Sequence, residues 1–375
     1  MSIAYAIEKQ LAISAVRRAC LLTSSVFNKL VKNETLVKGD KSPVTGIVIR
    51  SFFSSFSFMY MTFAVADYSA QAVISSMLHH AYPNDPIVGE EDASDIRAES
   101  GASLRNRIVE LANEALTAEL GIGDDANWGI GPGSEQNADE LLDAIDRGRY
   151  EGGGTGRMWT IDPIDGTKGF LRGEQYAVCL ALIVDAQVQL GVLGCPNLPI
   201  DWLKPDGEKG CLFVAVRGQG AQQITLSGAE STPLTMPPYT PSTFNFLESV
   251  EAAHSSHSTI SRISAIMGLT ASPIRMDSQA KYGCLARADG GAYVRMPTGA
   301  GYKEKIWDHA TGSLLVTESG GIITDSRGLP LDFGLGRTLG ENYGIIATVK
   351  DAHGKLLSAV QQVVAKEEEP LKSRA

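Results

Sequence analysis

The spacing of apolar and polar residues divides this chain into helices and strands. Apolar side chains recur at helical intervals from Ile7 and Leu11 to Leu30, which predicts a long amphipathic helix over residues 3–32. The same reasoning predicts helices over 66–81, 101–120, 139–147, 258–267, 280–287 and 308–319. The first half of the chain therefore opens with helices that need a second layer to cover their apolar faces.

Short apolar runs bounded by turn residues predict the strands. They lie at 86–91, 159–161, 176–184, 187–193, 210–217, 244–250, 291–296 and 345–348. Only Asp185 and Ala186 separate the runs 176–184 and 187–193, which predicts a hairpin in a central sheet. Polar or Gly-rich stretches at 39–45, 121–137 and 194–197 predict turns and loops.

A stretch rich in Ser, Thr and Pro at 228–243 predicts a domain boundary. We expect an N-terminal α+β domain over 1–235 and a C-terminal domain over 236–360, where strands and helices alternate as in α/β folds. A polar tail over 361–375 is expected to fray. Two domains of ordinary size agree with a chain of 375 residues.

Composition narrows the class of protein. Hydrophobic residues make up 43% and charged residues 20%, as in soluble globular proteins. The net charge of −10 argues against a general nucleic-acid binder, which would present a basic face. Five cysteines without a C-x-x-C pair indicate buried thiols in a reducing compartment. The N-terminus lacks a basic region followed by an apolar core, so we expect no secretory signal and a cytoplasmic location.

The densest chemistry lies in residues 159–170, where two carboxylates, Asp162 and Asp165, follow the predicted strand 159–161. Pro163 is expected to end the strand pairing, and Gly166 permits a sharp turn. Carboxylates grouped at a strand end suit Mg²⁺, and a helix starting at Gly166 would offer N–H groups and the Thr167 hydroxyl to a phosphate. The alternative is an Asp-rich turn with helix caps.

Three further carboxylates are candidates for the same site. Glu90 follows an apolar strand, Asp308 opens a predicted helix, and Asp67 lies near the start of another. Taken singly, each also has an ordinary explanation as a solvated surface group, an N-cap or a helix-start charge.

Residues 162–167, Asp-Pro-Ile-Asp-Gly-Thr, resemble the signature of the lithium-sensitive, Mg²⁺-dependent phosphatases related to inositol monophosphatase. The longer run 162–175, together with 177–183, resembles the 3′(2′),5′-bisphosphate nucleotidases of fungi and plants. The similarity extends from about residue 5 to about residue 350, with one interruption. It implies a two-domain, layered αβαβα sandwich of the inositol monophosphatase and fructose-1,6-bisphosphatase type, of mixed α+β and α/β character.

The resemblance also implies site residues. It assigns two or three Mg²⁺ per site to the side chains of Glu90, Asp162, Asp165 and Asp308 and to the Ile164 carbonyl. It assigns polarisation of the attacking water to Asp67 and Thr167. The substrate-binding residues that it implies are Thr167, His254, Ser278, Lys281, Arg295 and Asp308.

The substrate residues can be weighed on their own pattern. Ser278 and Lys281 lie three residues apart, so they share one helix face, and with Arg295 they could bind a phosphate that is not hydrolysed. The ordinary alternative is that Lys281 and Arg295 are solvated surface charges.

Three functions follow from these residues and the resemblance. The first is hydrolysis of the 3′-phosphate of adenosine 3′,5′-bisphosphate to AMP, and of its sulfated precursor, in sulfate assimilation and salt tolerance. The second is hydrolysis of inositol phosphates with the same metals. The third, a silent Mg²⁺ or Li⁺ sensor, ranks last because every expected carboxylate is present. We expect a monomer that binds a small nucleotide bisphosphate and neither nucleic acid nor membrane.

The interruption is the apolar stretch 46–64, which splits a segment that the related phosphatases keep compact. It could be a membrane anchor, although Arg50 and several hydroxyl residues weaken that interpretation. It could be an ordered insertion such as a lid. We favour a retained intron translated in frame, which the codons permit. Such a stretch is expected to loop out, expose apolar surface and displace Asp67.

Overall fold

The computed structural model describes residues 4–38, 48–120, 133–251, 257–297 and 301–372. The helices of this part, in chain order, are α1 (Ala6–Lys38), α2 (Val48–Ala81), α3 (Ser94–Arg97), α4 (Ala102–Thr117), α5 (Ala138–Asp146), α6 (Thr167–Arg172), α7 (His257–Met267), α8 (Ala280–Ala286), α9 (Ala310–Glu318) and α10 (His353–Lys372). A short 3-10 turn spans Glu99–Gly101.

The larger of two β-sheets has seven strands that pair in sequential order. They are β1 (Ile87–Gly89), β2 (Arg157–Asp165), β3 (Ala177–Val184), β4 (Gln187–Pro199), β5 (Lys209–Val216), β6 (Gly220–Thr225) and β7 (Ser231–Leu234). The strand β1 runs parallel to β2, and every other neighbouring pair is antiparallel. The predicted hairpin is confirmed as β3 and β4.

The smaller sheet has five strands in the order β11, β12, β10, β8, β9. They are β8 (Phe246–Glu248), β9 (Ile274–Arg275), β10 (Ala292–Arg295), β11 (Gly321–Thr324) and β12 (Ile345–Val349). The strand β8 is parallel to both β9 and β10, whereas β12 is antiparallel to both of its neighbours.

The central strands of the larger sheet are buried on both faces, which explains why β3 and β5 are nearly continuous apolar runs. In β3, Leu180 and Leu182 point into a core formed with α1 and α2. Ala181 and Ile183 point into a second core that includes α8, α9 and the smaller sheet. Because side chains alternate along a strand, one run of apolar residues supplies both cores, and each buried Leu contributes about 2 kcal/mol.

The layers follow from these two cores. Helices α1 and α2 cover one face of the larger sheet, α8 and α9 lie between the two sheets, and α7 and α10 cover the outer face of the smaller sheet. This confirms the predicted αβαβα sandwich. The strands of the two sheets are separated by residues 235–245, but the division into domains at residue 235 stays a prediction.

Several predicted boundaries are wrong. The strand β2 does not end at Ile161 but continues to Asp165, and β4 continues through 194–197, where we expected a turn. Helix α10 was not predicted, and it extends through most of the polar tail to Lys372. The predicted turn 39–45 lies outside the described residues, as does 121–132 of the predicted loop 121–137.

The apolar stretch 46–64 does not loop out where it is described, since residues 48–64 form the first part of α2. The Phe63 ring packs edge-on against Phe170, with centroids 5.5 Å apart, and Met59 is half-buried against the same core. Tyr60 and Met61 remain 45% and 52% exposed. Among the described helices, none combines the length and apolar character needed to cross a membrane.

Candidate metal and phosphate site

The turn between β2 and α6 places two of the predicted ligands. Gly166 caps α6 with a left-handed φ of 91°, and the helix begins at Thr167, as predicted. A Cβ on Gly166 would lie 2.8 Å from the Ser278 Cβ. Glycine is therefore needed both for the backbone conformation and for close contact between this turn and the segment at Ser278.

An irregularity in β2 carries the first carboxylate. The pairing of β2 with β3 shifts register between Asp162 and Asp165, so Pro163 and Ile164 lie within a bulge. A bulge tolerates a residue without an N–H donor, which is why the strand passes Pro163. Asp162 is 1% exposed, and its Oδ1 has no hydrogen-bond partner in the described part of the chain.

The sheet and two helices bring the other carboxylates to the same place. Glu90 follows β1, which is parallel to β2, so both strands end at one edge, and its N–H donates to the Ile161 carbonyl at 3.2 Å. Asp67 comes from α2, and Asp308 lies just before α9. The expected displacement of Asp67 is wrong, because this side chain is buried beside the others.

The electrostatics of this cluster show how close its members are. Burial raises the pKa of Asp67, Asp162 and Asp308 well above the ordinary value, and the negative charges of neighbouring carboxylates raise it further. Burial and the adjacent Glu91 raise the pKa of Glu90 to about 7. Without a cation, these groups would repel one another strongly in a low dielectric.

The cluster fits a hard divalent cation. Its donors are carboxylate oxygens, which Mg²⁺ prefers, and they converge at one end of a buried strand. Oδ1 of Asp67 and Oδ1 of Asp162 are buried without a hydrogen-bond partner among the described residues. Buried anionic oxygens left unpaired by the protein are costly unless a cation compensates them.

Gln71 on α2 holds the acidic turn after β1. Its Nε2 donates to the Glu91 carbonyl at 2.6 Å and to the Ile145 carbonyl at 3.0 Å, and its Oε1 accepts from the Glu91 N–H at 3.0 Å. A Cβ on Gly89 would lie 2.8 Å from the Gln71 side chain, so this turn also depends on glycine. Helix α2 thus both carries Asp67 and fixes the segment that carries Glu90.

Two basic side chains lie beside the carboxylates, and neither is a solvated surface charge. Lys281 is 3% exposed, and its Nζ donates to the Met276 carbonyl at 3.1 Å. Burial lowers the pKa of Lys281 to about 8, although the charge of Asp165 acts in the opposite direction. The Arg295 Nη2 lies 4.0 Å from the Asp308 Oδ2, and the Arg295 side chain is 19% exposed.

The segment before α8 has an unusual backbone. Ser278 has a φ of 67°, and its Oγ accepts a hydrogen bond from the Ala280 N–H at 3.1 Å. The preceding Asp277 forms an ion pair with Arg172 of α6. The remaining predicted substrate residue, His254, lies outside the described residues.

Two buried groups beside Asp308, namely Glu304 and His309, were not predicted from the sequence. His309 joins the Glu304 Oε2 through Nε2 at 3.2 Å and the Tyr282 hydroxyl through Nδ1 at 2.8 Å. Burial alone would raise the pKa of Glu304, but the hydrogen bond with His309 and the charge of Arg295 lower it to about 2. One ligand atom each from Glu304, Asp308 and His309 lies within 4.8 Å of the others. Both residues lie close to Asp308 in the sequence, and this proximity was the available signal that they belong to the site.

Comparison with known families shows the family of this chain. The sequence profile of the inositol monophosphatase family matches residues 60–365. The chain belongs to the inositol monophosphatase family of phosphatases.

Within that family, the chain is similar to enzymes named 3′(2′),5′-bisphosphate nucleotidase. The one from Schizosaccharomyces pombe is 44% identical over 373 residues, with 96% of each chain covered. Those from Emericella nidulans and Oryza sativa are 39% and 40% identical, with 96% of this chain and 99% and 95% of theirs covered.

Solved structures agree on the fold. An inositol monophosphatase from Zymomonas mobilis superposes with a TM-score of 0.56 at 16% identity, covering 96% of this chain and all of the other. The extragenic suppressor protein suhB from Bartonella henselae gives a TM-score of 0.54 at 15% identity, with 96% of this chain and 100% of the other covered. At these identities the likeness supports the fold alone.

Proposed function

We propose that this chain hydrolyses the 3′-phosphate of adenosine 3′,5′-bisphosphate, giving AMP and phosphate, and that it acts likewise on the sulfated precursor. The observation that carries this proposal is the pair of cations beside the carboxylate cluster, the buried Lys281 and the partly buried Arg295. A substrate with one phosphate that is cleaved and one that is retained needs the carboxylate cluster for the first and the two cations for the second. The names of the curated relatives support the same substrate.

We propose that the metal ligands are the side chains of Glu90, Asp162, Asp165 and Asp308 and the Ile164 carbonyl, and that they hold two or three Mg²⁺. The convergence and burial of the carboxylates support this assignment. When bound, these ions supply positive charge that offsets the phosphate charge and makes a nearby water more acidic.

The chain's own groups then have separate tasks. Asp67 and Thr167 orient a water and take up its proton as the water oxygen bonds to phosphorus. The bond from phosphorus to the 3′ oxygen breaks, that oxygen takes up a proton from solvent to become a hydroxyl, and the proton taken from the attacking water returns to solvent. The burial of Asp67 and the position of Thr167 directly after the Asp165-Gly166 turn support these roles.

Most of the proposed substrate-binding residues hold the part of the substrate that is not cleaved. Lys281 and Arg295 bind the retained phosphate, and Thr167 and Asp308 lie on the side of the cleaved phosphate. Ser278 donates its hydroxyl, and His254 contributes from the segment outside the described residues. Since the retained phosphate is bound throughout the reaction, this binding lowers KM more than it raises kcat.

The cell biology implied by the resemblance belongs to the same proposal. We propose a role in sulfate assimilation and salt tolerance, a monomeric state, and a cytoplasmic location. We also propose domains over residues 1–235 and 236–360. Hydrolysis of inositol phosphates is the competing function, since the same carboxylates would serve it.

A substrate panel tests the proposal. Free phosphate is measured from adenosine 3′,5′-bisphosphate, its sulfated precursor, inositol 1,4-bisphosphate, inositol 1-phosphate and 3′-AMP at fixed Mg²⁺, with and without Li⁺. We expect the two adenosine bisphosphates to be hydrolysed fastest and Li⁺ to inhibit. Faster turnover of the inositol phosphates would overturn the substrate assignment, and metal-independent turnover would overturn the metal assignment.

A further inference from the structure

One buried amide joins the two distant parts of the chain that carry the carboxylates. Gln279 lies between Ser278 and α8 and is 4% exposed. Its backbone N–H donates to the Asp165 carboxylate. Its side-chain Nε2 donates to the carbonyl of Trp307, the residue before Asp308, at 2.9 Å.

These two bonds connect segments that come from distant parts of the chain. Asp165 ends β2 of the larger sheet, whereas Asp308 precedes α9, more than a hundred residues later in the chain. Both Asp165 and the Trp307 carbonyl form a hydrogen bond with this one residue, so Gln279 links the two segments that carry the carboxylates. A buried hydrogen bond fixes such a spacing better than apolar packing because it is directional.

The backbone around Gln279 is itself held firmly. Ser278 is left-handed, and Asp277 is paired with Arg172. Added Cβ atoms on Gly166 and Gly169 would lie 2.8 and 2.9 Å from Ser278 and Asp277 respectively, so α6 packs directly on this segment. The contacts leave Gln279 little freedom to follow a shift of either partner.

We propose that Gln279 is a positioning residue that sets the relative placement of Asp165 and Asp308 for metal binding. The inference rests on the proposed metal ligands. It assigns a role that differs from binding substrate, since both bonds of Gln279 go to the segments that carry carboxylates. Groups of this kind typically change metal affinity by 10–100-fold when removed.

The two bonds can be separated by mutation. The bond to Asp165 comes from the backbone and survives any substitution other than proline. Gln279→Met keeps the side-chain volume but loses the bond to the Trp307 carbonyl. Gln279→Asn keeps the amide, but its side chain is one methylene shorter and does not reach that carbonyl from the same backbone position.

Gln223 offers a matched control. It is also buried, and its Nε2 donates to the Ile200 carbonyl at 3.1 Å, while its Oε1 accepts from Arg287 at 2.9 Å. Within the described part of the chain, Gln223 forms no hydrogen bond with the carboxylates of the site. Gln223→Met therefore removes a comparable buried amide at a distance from the site.

The experiment is a calorimetric titration of each full-length variant with Mn²⁺ alone, combined with thermal melting without metal. We expect Gln279→Met and Gln279→Asn to weaken Mn²⁺ binding by about tenfold or more. Gln223→Met should lower the melting temperature by a similar or larger amount but leave the Mn²⁺ affinity unchanged. Under saturating metal, the Gln279 variants should recover the KM of the parent chain for adenosine 3′,5′-bisphosphate.

Unchanged Mn²⁺ affinity in both Gln279 variants would overturn the inference, as would an equal loss in Gln223→Met. If one Gln279 variant fails to fold, the other still decides between these outcomes. The titration needs no substrate, so failure of the substrate panel would leave this result standing. If the parent chain and both Gln279 variants bind Mn²⁺ equally well and hydrolyse the nucleotide, the role of Gln279 is refuted, whereas the proposed function is not.

Discussion

At the scale of single residues, the site is a group of buried carboxylates that the protein leaves incompletely paired. Asp162 and Asp67 each have a buried oxygen without a hydrogen-bond partner among the described residues. Asp165 accepts from the Gln279 N–H, and Asp308 lies near Arg295. Such an arrangement is destabilising by itself, and a bound cation would compensate its negative charge.

Asp165→Asn should reduce kcat by more than about 100-fold, because loss of a metal ligand should exceed the loss typical of its supporting groups. Side-chain volume is almost unchanged, so the circular dichroism spectrum should match that of the parent chain. Asp143→Asn, which alters a surface ion pair with Arg97, is the control and should keep full activity. Near-normal turnover of a folded, Mg²⁺-saturated Asp165→Asn variant would refute the ligand assignment.

Lys281→Met should raise KM for adenosine 3′,5′-bisphosphate by about tenfold or more while changing kcat less, because the retained phosphate is bound in both ground and transition states. Initial rates over a range of substrate concentrations measure this split. On 3′-AMP, which has a single phosphate, the same variant should differ little from the parent chain. Lys204→Met, at an exposed lysine, is the control. Equal losses on both substrates would identify Lys281 as structural.

The lowered pKa of Lys281, about 8, predicts a pH dependence. Burial favours the neutral amine, so the positive charge is complete only well below pH 8 and is lost as the pH rises through that value. The kcat/KM for the bisphosphate should therefore fall above about pH 8, since this ratio reports groups of the free enzyme. Lys281→Met should lack this fall, and persistence of the fall in the variant would assign it to another group.

At the scale of elements, α2 connects the unusual apolar stretch to the site. The described residues 48–64 extend the same helix that carries Asp67 and Gln71. Phe63 contacts Phe170 of α6, so the end of this stretch packs near the predicted phosphate-binding turn. Tyr60 and Met61 are about half exposed, which leaves apolar surface at the side of the helix.

Deleting residues 46–64 should give a more soluble chain that is at least as active. The contacts of Gln71 with Glu91 and Ile145 lie in the part of α2 that remains, and exposed apolar surface promotes association. Light scattering and phosphate release from both chains measure the effect, and Phe63→Ala separates the Phe170 contact from the rest. A full chain that equals the deletion in solubility and activity would refute the retained-intron hypothesis, as would genomic DNA without splice sites at these codons.

At the scale of the whole molecule, the site lies where different layers meet. Asp67 belongs to an outer helix, Glu90 and Asp162 to the larger sheet, and Asp308 to the layer between the two sheets. A cation bound by Glu90, Asp162 and Asp308 would connect the larger sheet to the layer between the two sheets. Because it binds the folded chain and not the unfolded one, it should stabilise the fold.

Mg²⁺ should accordingly raise the melting temperature, by an amount that grows with its concentration. At 100 times the dissociation constant, the stabilisation is about 2.7 kcal/mol. Thermal melting of the parent chain across a Mg²⁺ series measures the shift, with Asp165→Asn as the variant expected to show much less. Equal shifts in both chains would mean that the ion acts at another place.

The amino-acid sequence by itself determined the elements and the class of chemistry. Apolar patterning predicted α1 and the strands β1 to β5 of the larger sheet because these elements are buried in a regular pattern, whereas the more polar and exposed β6 and β7 were not predicted. Residues 162–167 indicated both the turn and its carboxylates, since a Gly between a strand and a helix has few alternatives. Local rules failed at Pro163, where a bulge continued the strand, and at 194–197, where neighbouring strands kept β4 extended.

Only the tertiary structure decided which distant groups meet. The burial of Lys281, the network of Glu304 and His309, and the bridge from Gln279 to Asp165 and Trp307 depend on how the layers pack. Each of these features depends on contacts between residues that are far apart in the chain or that packing turns toward one another. Periodicity and spacing describe one segment at a time, so they contain no information about contacts between segments.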